Sequence, residues 1–572
     1  MGRGYFGVEL LSLRPGTRYG YRLDDGPVRP DPASRAQPDG VAGWSAVVRG
    51  ESFPWGDSDW HGRPLEEAVF YELHVGTFSP AGTFDGVGRR LDDLRALGVT
   101  AVELLPVAEF SGRRNWGYDG VFPFAVHHSY GGLVGLQRLA RACHARAISL
   151  FVDVVYNHLG PEGNPLGAFG PYFTDRYRTP WGPALNFDGG GSDEVRRFFV
   201  ESATWLTEVA HLDGLRVDAV HAVVDPTASP FFAELTEAVH AVGARSRHPR
   251  WLVAESVLND PRVVVPGAAG GLGFDAMWND DFHHALHVAL TGERTGYFRD
   301  YDGVGDLGRA LVDGFALAGR FSEYRGRRHG RPAGPIPAAR FVVYGQNHDQ
   351  VGNRPFGERI GALVPFEAAK LAAGMVLLSP FLPLVWMGEE YGESAPFQYF
   401  TSHRGRALAD AVRRGRRADF VTSPGAHAPP DPQSPATFAR SRLAWESRSR
   451  GRHRRLLALY RALLDLRREI VPSERLRPTE VGRDPDDPKV LWVARRPLAG
   501  RPASLAVFRF GDRPGTTRPP AAPRRLERRL ASGDRRWGGP GASGPRELAP
   551  GVRPELPLDP WSFVVYSAGG AR

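Results

Sequence analysis

Cysteine is almost missing from this chain of 572 residues; Cys143 stands alone. A single thiol excludes an intramolecular disulfide framework and a cysteine-ligated metal site. Lysine is nearly missing too. Of 72 basic residues only Lys370 and Lys489 are lysine, and the arginines run along the whole chain with no aromatic-interleaved cluster. The net charge of +8 therefore reads as a compositional bias towards arginine rather than a phosphate-binding face, and no nucleic-acid partner is expected. Long apolar runs are also wanting. The longest, Leu371 to Met387, is broken by Pro380 and Pro383, which suits a buried helix followed by a strand rather than a membrane span. The opening residues MGRGYFGVELLSLRPG lack the apolar core of a signal peptide, so a cytoplasmic location is expected.

What is present is the composition of a globular protein, 42% apolar and 24% charged. Residues 1–67 hold short alternating segments at Phe6–Leu10 and Arg18–Leu23, then a Pro/Asp/Gly-rich tail. Two or three such strands cannot bury a core alone. They are expected to lean on the rest of the chain or to form an incomplete sheet. From Ala68 the pattern becomes strand–helix–strand. Apolar strands are expected at Ala68–Val75, Val99–Val107, Ile148–His158, Gly214–Val217, Trp251–Ser256, Phe274–Asp280, Ala339–Asp349 and Pro383–Glu390, separated by helical patterns. Alternating β and α with eight units predicts an α/β fold, a (β/α)8 TIM barrel spanning 68–403. A doubly wound open sheet is the alternative, but LHVGTFSPAGTF after the first strand carries no GxGxxG. Residues 404–474 read as an arginine-rich helical extension, and 475–572 as an antiparallel β domain built on KVLWVARR, SLAVFRF and SFVVYS.

In such a barrel the active site lies at the C-terminal ends of the strands, and polar residues collect there. Strand three ends in Asp153, Tyr156, Asn157 and His158, and strand four carries Arg216, Asp218 and His221. Strand five gives Glu255. Strand six runs into Asp280, Asp281, His283 and His284, and strand seven into His348, Asp349 and Gln350. In GLRVDAVH, alternation puts Arg216 and Asp218 on one face, where the guanidinium keeps the carboxylate ionised. Read alone, the octapeptide serves equally as a structural ion pair or as a nucleophile. Asp218, Glu255 and Asp349 together form a carboxylate trio. Two carboxyls about 5–5.5 Å apart suit retaining glycoside hydrolysis. The apolar neighbours in WLVAES would raise the pKa of Glu255, as an acid requires.

DVVYNH (Asp153–His158), GLRVDAVH, WLVAES and QNHDQ (Gln346–Gln350), in this order, resemble the four signature regions of the α-amylase clan of glycoside hydrolases. The resemblance implies Asp218 as nucleophile, Glu255 as acid/base and Asp349 as the carboxylate on the ring hydroxyls. It places Arg216, His158, His348 and Tyr118 around the reacting glucose. His221, Asp280, Asp281, His283, His284 and Gln350 are further candidates for substrate contact. Within the clan, HLGPEGN, WNDDFHHALH, QNHDQVGNR, PFQYFTSH, GRRADF and PDPQSPATFARSRL resemble the maltooligosyltrehalose trehalohydrolase subfamily. That likeness implies cleavage of the α-1,4 bond next to a terminal trehalose unit of maltooligosyltrehalose, beside a synthase that makes this substrate. It also implies that the chain enters the subfamily's N-terminal β-sandwich part-way. A general α-amylase, a branching enzyme and a non-catalytic glucan-binding barrel are the alternatives. The last of these would be expected to lose a carboxylate.

No metal or cofactor is expected. His283, His284 and His287 form no HExxH, and Asn157, which matches a calcium position of some amylases, is followed by only a short loop. Trp116, Trp278 and Trp386 suit the core and a sugar platform equally.

Overall fold

The computed structural model describes residues 7–49, 53–179, 182–420, 427–471, 480–498 and 500–568. Eight parallel strands close into a barrel. They are β1 (Phe70–Leu73), β2 (Ala101–Leu104), β3 (Ser149–Val154), β4 (Gly214–Val217), β5 (Trp251–Ala254), β6 (Ala276–Trp278), β7 (Phe341–Tyr344) and β8 (Leu382–Trp386). Each pairs with its sequence neighbours, and β8 pairs back onto β1. Seven lie inside the segments that alternation marked out, and β8 begins one residue before its own, at Leu382. Except for β4, which fills its segment, they are shorter because the polar residues at the C-terminal ends turn out of the ladder into loops.

Side chains fill the barrel interior. Phe70, Phe151, Val253, Trp278, Val342, Tyr344 and Leu384 pack there as one buried cluster. The outward faces of the strands meet the surrounding helices in a second, larger core. Gly214 opens β4 because nothing larger fits. A Cβ there would lie 2.2 Å from the Phe151 ring and 2.3 Å from the Trp251 carbonyl oxygen.

The C-terminal sheet has six strands, β9 (Glu480–Arg483), β10 (Val490–Arg495), β11 (Ser504–Arg509), β12 (Leu526–Ala531), β13 (Glu547–Leu548) and β14 (Ser562–Ser567). They are antiparallel, in the order β9-β10-β11-β14-β12-β13. Buried Lys370, on the barrel helix Phe366–Leu377, donates to the Ser532 carbonyl at 2.7 Å and ties this sheet to the barrel. The extension between barrel and sheet is helical at Arg406–Phe420, Pro435–Arg440 and Gly451–Ile470. No described helix is long and apolar enough to cross a membrane.

The N-terminal region departs from its alternation. Its strands are two residues long. Arg18–Tyr19 pairs with Ser45–Ala46, and Tyr21–Arg22 with Val28–Arg29. The Phe6–Leu10 segment, described from residue 7, forms no strand, and Val8, Leu10 and Leu11 are exposed. Alternation without a partner strand leaves those apolar side chains nothing to cover.

This region is held to the foot of the barrel by charge. Asp213, immediately before β4, is buried and accepts four bonds. They come from Trp60 Nε1 at 2.8 Å, His144 Nε2 at 3.1 Å, His248 Nε2 at 2.7 Å and the Leu150 amide at 2.7 Å. Asp57 holds the other nitrogen of His144 at 2.8 Å, and Trp55 stacks on His211. Burial alone would raise Asp213, but His144 and His248 hold it well below the usual carboxylate range. His144, despite its own burial, is raised by Asp213 and Asp57.

The two contributions to stability run in opposite directions with pH. The part from Asp213 is complete above its unfolded pKa near 4 and is lost as pH falls through the depressed folded value. The part from His144 is complete below about 6.5 and is lost as pH rises through the folded value. Asp213→Asn is therefore expected to cost about 3–5 kcal/mol. Its deficit in Tm should be larger at about pH 5.5 than at about pH 8.5. An equal deficit at both would show that His144 carries no charge there.

Candidate active site

Backbone bonds continue past the ends of β4 and β5 and fix the two acids. The Asp218 amide donates to the Val154 carbonyl at 3.0 Å, and the Glu255 amide to the Val217 carbonyl at 3.0 Å. Between the acids stands Arg216, 1% exposed, its guanidinium 4.2 Å from the centre of the Trp278 ring. Nη1 donates to Asp153 Oδ2 at 2.6 Å and to Asp218 Oδ1 at 2.8 Å, while Nη2 lies 3.2 Å from Glu255 Oε2. The two acids thus sit against the two terminal nitrogens of one guanidinium. Both keep some exposure, 13% and 16% of their side chains, so both can be reached from the mouth.

The surroundings then push the two acids apart. Burial acts to raise Asp218, but Arg216 and a 2.7 Å bond from Asn157 Nδ2 to its other oxygen hold it below the usual range. Burial raises Glu255 well above its usual range. Arg216 opposes this, while Asp218, Asp280 and Asp349 reinforce it. Glu255 Oε2 also accepts from the Ala219 amide at 2.7 Å. Ala219 is held left-handed, at φ +41°, to point that amide there. A non-glycine residue in this region is strained, and such strain collects at functional sites.

Asp349 lies in the first turn of the short helix His348–Gly352 after β7, and burial raises it. His348 Nε2 meets the Tyr118 hydroxyl at 2.8 Å, and Tyr118 donates to Asp153 Oδ2 at 2.6 Å. The single Tyr118 proton being given to Asp153, the proton of that contact belongs to His348 Nε2. Burial holds His348 down at about 4, so its ring is neutral and Nδ1 must accept. The partner there, 2.5 Å away, is Glu72 Oε1, which burial pushes up to about 8 and so keeps protonated. A proton-ordered chain thus runs from Glu72 through His348 and Tyr118 to Asp153 and Arg216. His158 lies between Asn157 Oδ1 at 2.6 Å and the Tyr118 carbonyl at 2.9 Å. His221 leaves its Nδ1 without a partner among the described residues. Asp280 accepts from Tyr344.

Two candidates, Asp281 and His284, turn elsewhere, which corrects the expectation that they face substrate. Asp281 is buried, its oxygens taken by the Tyr301 hydroxyl at 2.5 Å and the Leu317 amide at 2.6 Å. His284 is buried against Tyr301. His283 spends Nδ1 on the Gly345 carbonyl at 3.0 Å. The cause is the helix Asp280–Thr291, which carries successive residues to different faces. His283 and Gln350 do border a cavity of about 340 Å³ beside Asp349, with Glu293, Tyr297, Asn353 and Arg354. Trp116, Trp278 and Trp386 are all core.

Sequence reasoning missed Glu72, Glu103, Ala219, Glu293 and Asn353. Glu72 and Glu103 left a signal. They are carboxylates in the middle of apolar strands, and they sit opposite each other in register inside the barrel.

Among the described residues, Glu109, His127 and His128 bring possible metal-ligand atoms within 4.8 Å of one another. The Ser129 amide donates to His127 Nδ1 at 3.1 Å, which leaves the proton on Nε2. No lone pair of His127 then faces Glu109, 3.8 Å away, and only His128 bonds that carboxylate, through Nδ1 at 2.7 Å and its amide at 2.9 Å.

A closed eightfold barrel whose rim gathers an opposed acid pair around one arginine defines a glycoside hydrolase of the α-amylase class. The alpha amylase catalytic-domain family matches residues 42–168. A malto-oligosyltrehalose trehalohydrolase of Saccharolobus solfataricus is 44% identical over 82% of this chain and 80% of its own. One of Arthrobacter ramosus is 49% identical over 79% of each. The crystal structure of a Salmonella typhimurium protein designated an alpha amylase superposes with a TM-score of 0.86. It is 36% identical and covers 97% of this chain and 91% of its own. The chain belongs to the malto-oligosyltrehalose trehalohydrolase family.

The opposed shifts carry a pH signature. An ionised Asp218 is lost as pH falls through its depressed value, and a protonated Glu255 as pH rises through its raised one. The kcat/KM profile of the coupled pair should be bell-shaped. In Glu255→Gln, assayed on a substrate with a good leaving group, the alkaline limb should vanish and the acid limb remain. An alkaline limb that persists would assign the acid to another group.

Proposed function

We propose that this chain splits maltooligosyltrehalose at the α-1,4 bond next to the terminal trehalose unit, releasing trehalose and a maltooligosaccharide with retention at the cleaved carbon. The observation that carries the reading is the position of Arg216 between an acid held ionised and an acid held protonated. Asp218 attacks the anomeric carbon as Glu255 passes its proton to the leaving oxygen, giving a covalent glycosyl–enzyme and free trehalose. Glu255, now ionised, then takes a proton from water, whose oxygen displaces Asp218 from the same carbon. Asp349 binds ring hydroxyls of the distorted sugar. Tyr118, His158 and His348 wall its pocket, with Arg216 beneath. His221, with Nδ1 unpaired near both acids, takes a hydroxyl on the leaving side.

The substrate assignment draws support from the names of the relatives at 44% and 49% identity. A synthase that builds the trehalose end is the fitting metabolic companion, and a cytoplasmic location suits such a pair. All relatives of this class share the pocket for the reacting glucose, so the choice of bond must lie in the loops around it. An α,α-1,1 end bends away from the path of a maltose end. A pocket shaped for that bend leaves hydroxyl contacts unmade with an ordinary reducing end.

Maltotriosyl-trehalose should therefore yield trehalose and maltotriose. Maltopentaose, of equal length, should be cut at least ~100-fold less efficiently, equivalent to about 2.7 kcal/mol. Chromatography of the two digests decides. Equal cleavage would indicate a general α-amylase, and new α-1,6 branches a branching enzyme. Asp218→Ala should lose several orders of magnitude in rate while staying folded. Glu255→Ala rescued by azide should give an α-glycosyl azide, and a β-product would reverse the roles.

A further inference from the structure

The GRRADF segment, Gly415–Phe420, lies far from the barrel strands in sequence and closes the helix Arg406–Phe420. Arginines crowd this helix, and Arg413, Arg414 and Arg417 are exposed. Arg416 is the exception. It turns inward over the rings of Phe420, at 4.6 Å, and Tyr399, at 5.4 Å. Its Nη2 donates to the Gly352 carbonyl at 2.5 Å and to the Arg354 carbonyl at 3.2 Å. Those carbonyls end and follow the short helix that bears His348 and Asp349, where no further helical turn would satisfy them.

Two more contacts complete a path to the carboxylate. Arg416 Nη1 lies 3.5 Å from Asn353 Oδ1, and Asn353 Nδ2 donates to Asp349 Oδ1 at 2.5 Å. The guanidinium, which can only donate, fixes the Asn353 amide with its oxygen outward and its nitrogen towards Asp349. Without it the amide is free to flip and set oxygen against oxygen. The turn is also fixed from below. A Cβ on Gly352 would lie 2.0 Å from the Trp116 ring, so the backbone rests directly on that indole. Arg416 from above and Trp116 from below leave the turn one position.

We propose that Arg416 is a positioning residue for Asp349, acting through Asn353 and through the carbonyls of Gly352 and Arg354. The proposal rests on the reading of Asp349 as the carboxylate that grips the distorted sugar ring. It explains why a helix outside the barrel carries one inward arginine among outward ones. Because Asp349 grips the ring most tightly in the transition state, misplacing it costs kcat more than KM.

The test uses the full chain and whichever α-glucan the wild type cleaves, with thermal unfolding measured alongside. Arg416→Ala should lower kcat by about 10–100-fold with KM changed less than about threefold. Asn353→Ala, at an exposed position, should do the same without a loss of Tm. The double variant should be no worse than the poorer single one, because both cut the same path. Free guanidinium should restore part of the rate to Arg416→Ala but none to the double variant. Should Arg416→Ala fail to fold, Asn353→Ala and Arg416→Lys carry the test, the lysine lacking the fork that spans these acceptors. Single variants with kcat within threefold of wild type, or losses that multiply in the double variant, would overturn the proposal. Asp349→Asn separates the two readings. If it keeps full activity, the role given to Asp349 fails. If it is inactive while Arg416→Ala and Asn353→Ala are normal, only the positioning path fails.

Discussion

One guanidinium holds the mouth of this barrel together. Arg216 reaches Asp153, Asp218 and Glu255, three acids from three successive strands, and lies flat on Trp278 from a fourth. Burial acts to raise all three, and the charge of Arg216 opposes that rise in each. Its charge is also divided unevenly. Asp218 has Asn157 as a second donor and stays ionised. Glu255 has only a backbone amide besides Arg216, together with three other acids around it. Since both belong to the same cation, the difference between the two acids comes from their other neighbours, a side-chain donor on Asp218 and three further acids around Glu255.

Arg216 depends in turn on the barrel being closed. Its partners stand on neighbouring strands whose register sets Arg216 beside Asp153 on one side and Val253 on the other. Below them Glu72 and Glu103 face each other across β1 and β2, both raised by burial. In their protonated form they can sit under Arg216 without competing for its charge. The proton on Glu72 also fixes the tautomer of His348, which sets the hydroxyl direction of Tyr118. The polarity of the pocket wall is therefore decided two layers beneath the substrate.

The barrel was legible because each of its strands is an apolar run ending in polar residues, and that contrast survives in sequence. The placing of Asp218, Glu255 and Asp349 after their strands was legible for the same reason, while the roles proposed for them come from the likeness to the α-amylase clan. The helix after β6 was not. Asp280, Asp281, His283 and His284 stand together in sequence, but a helical turn sends them to different faces, so that Asp280 meets Tyr344 while Asp281 is spent on Tyr301 and Leu317. Nor was the N-terminal region. Its alternation promised strands, but a strand needs a partner; only two-residue pairs form, and the region is held by contacts to the rest of the chain, Val41 against Val121 and Phe122 and Trp60 on Asp213. Arg416 was invisible as a single case because it sits in a helix of arginines, and only packing tells the inward one from the rest.

Strand β4 shows how one residue type serves two ends. Asp213 precedes it and Asp218 follows it. Asp213 accepts four bonds, is closed to solvent, and has no capacity left for a ligand. Asp218 accepts side-chain bonds from Arg216 and Asn157 and remains open to the mouth, so its ionised oxygens still have acceptor capacity that a sugar carbon can meet. Burial pushes both upward, and neighbouring donors hold both down. A depressed pKa therefore does not distinguish a structural acid from a reactive one here. The distinguishing quantity is the unspent acceptor capacity facing an opening, and on β4 that lies only at the end where the strands point out of the barrel.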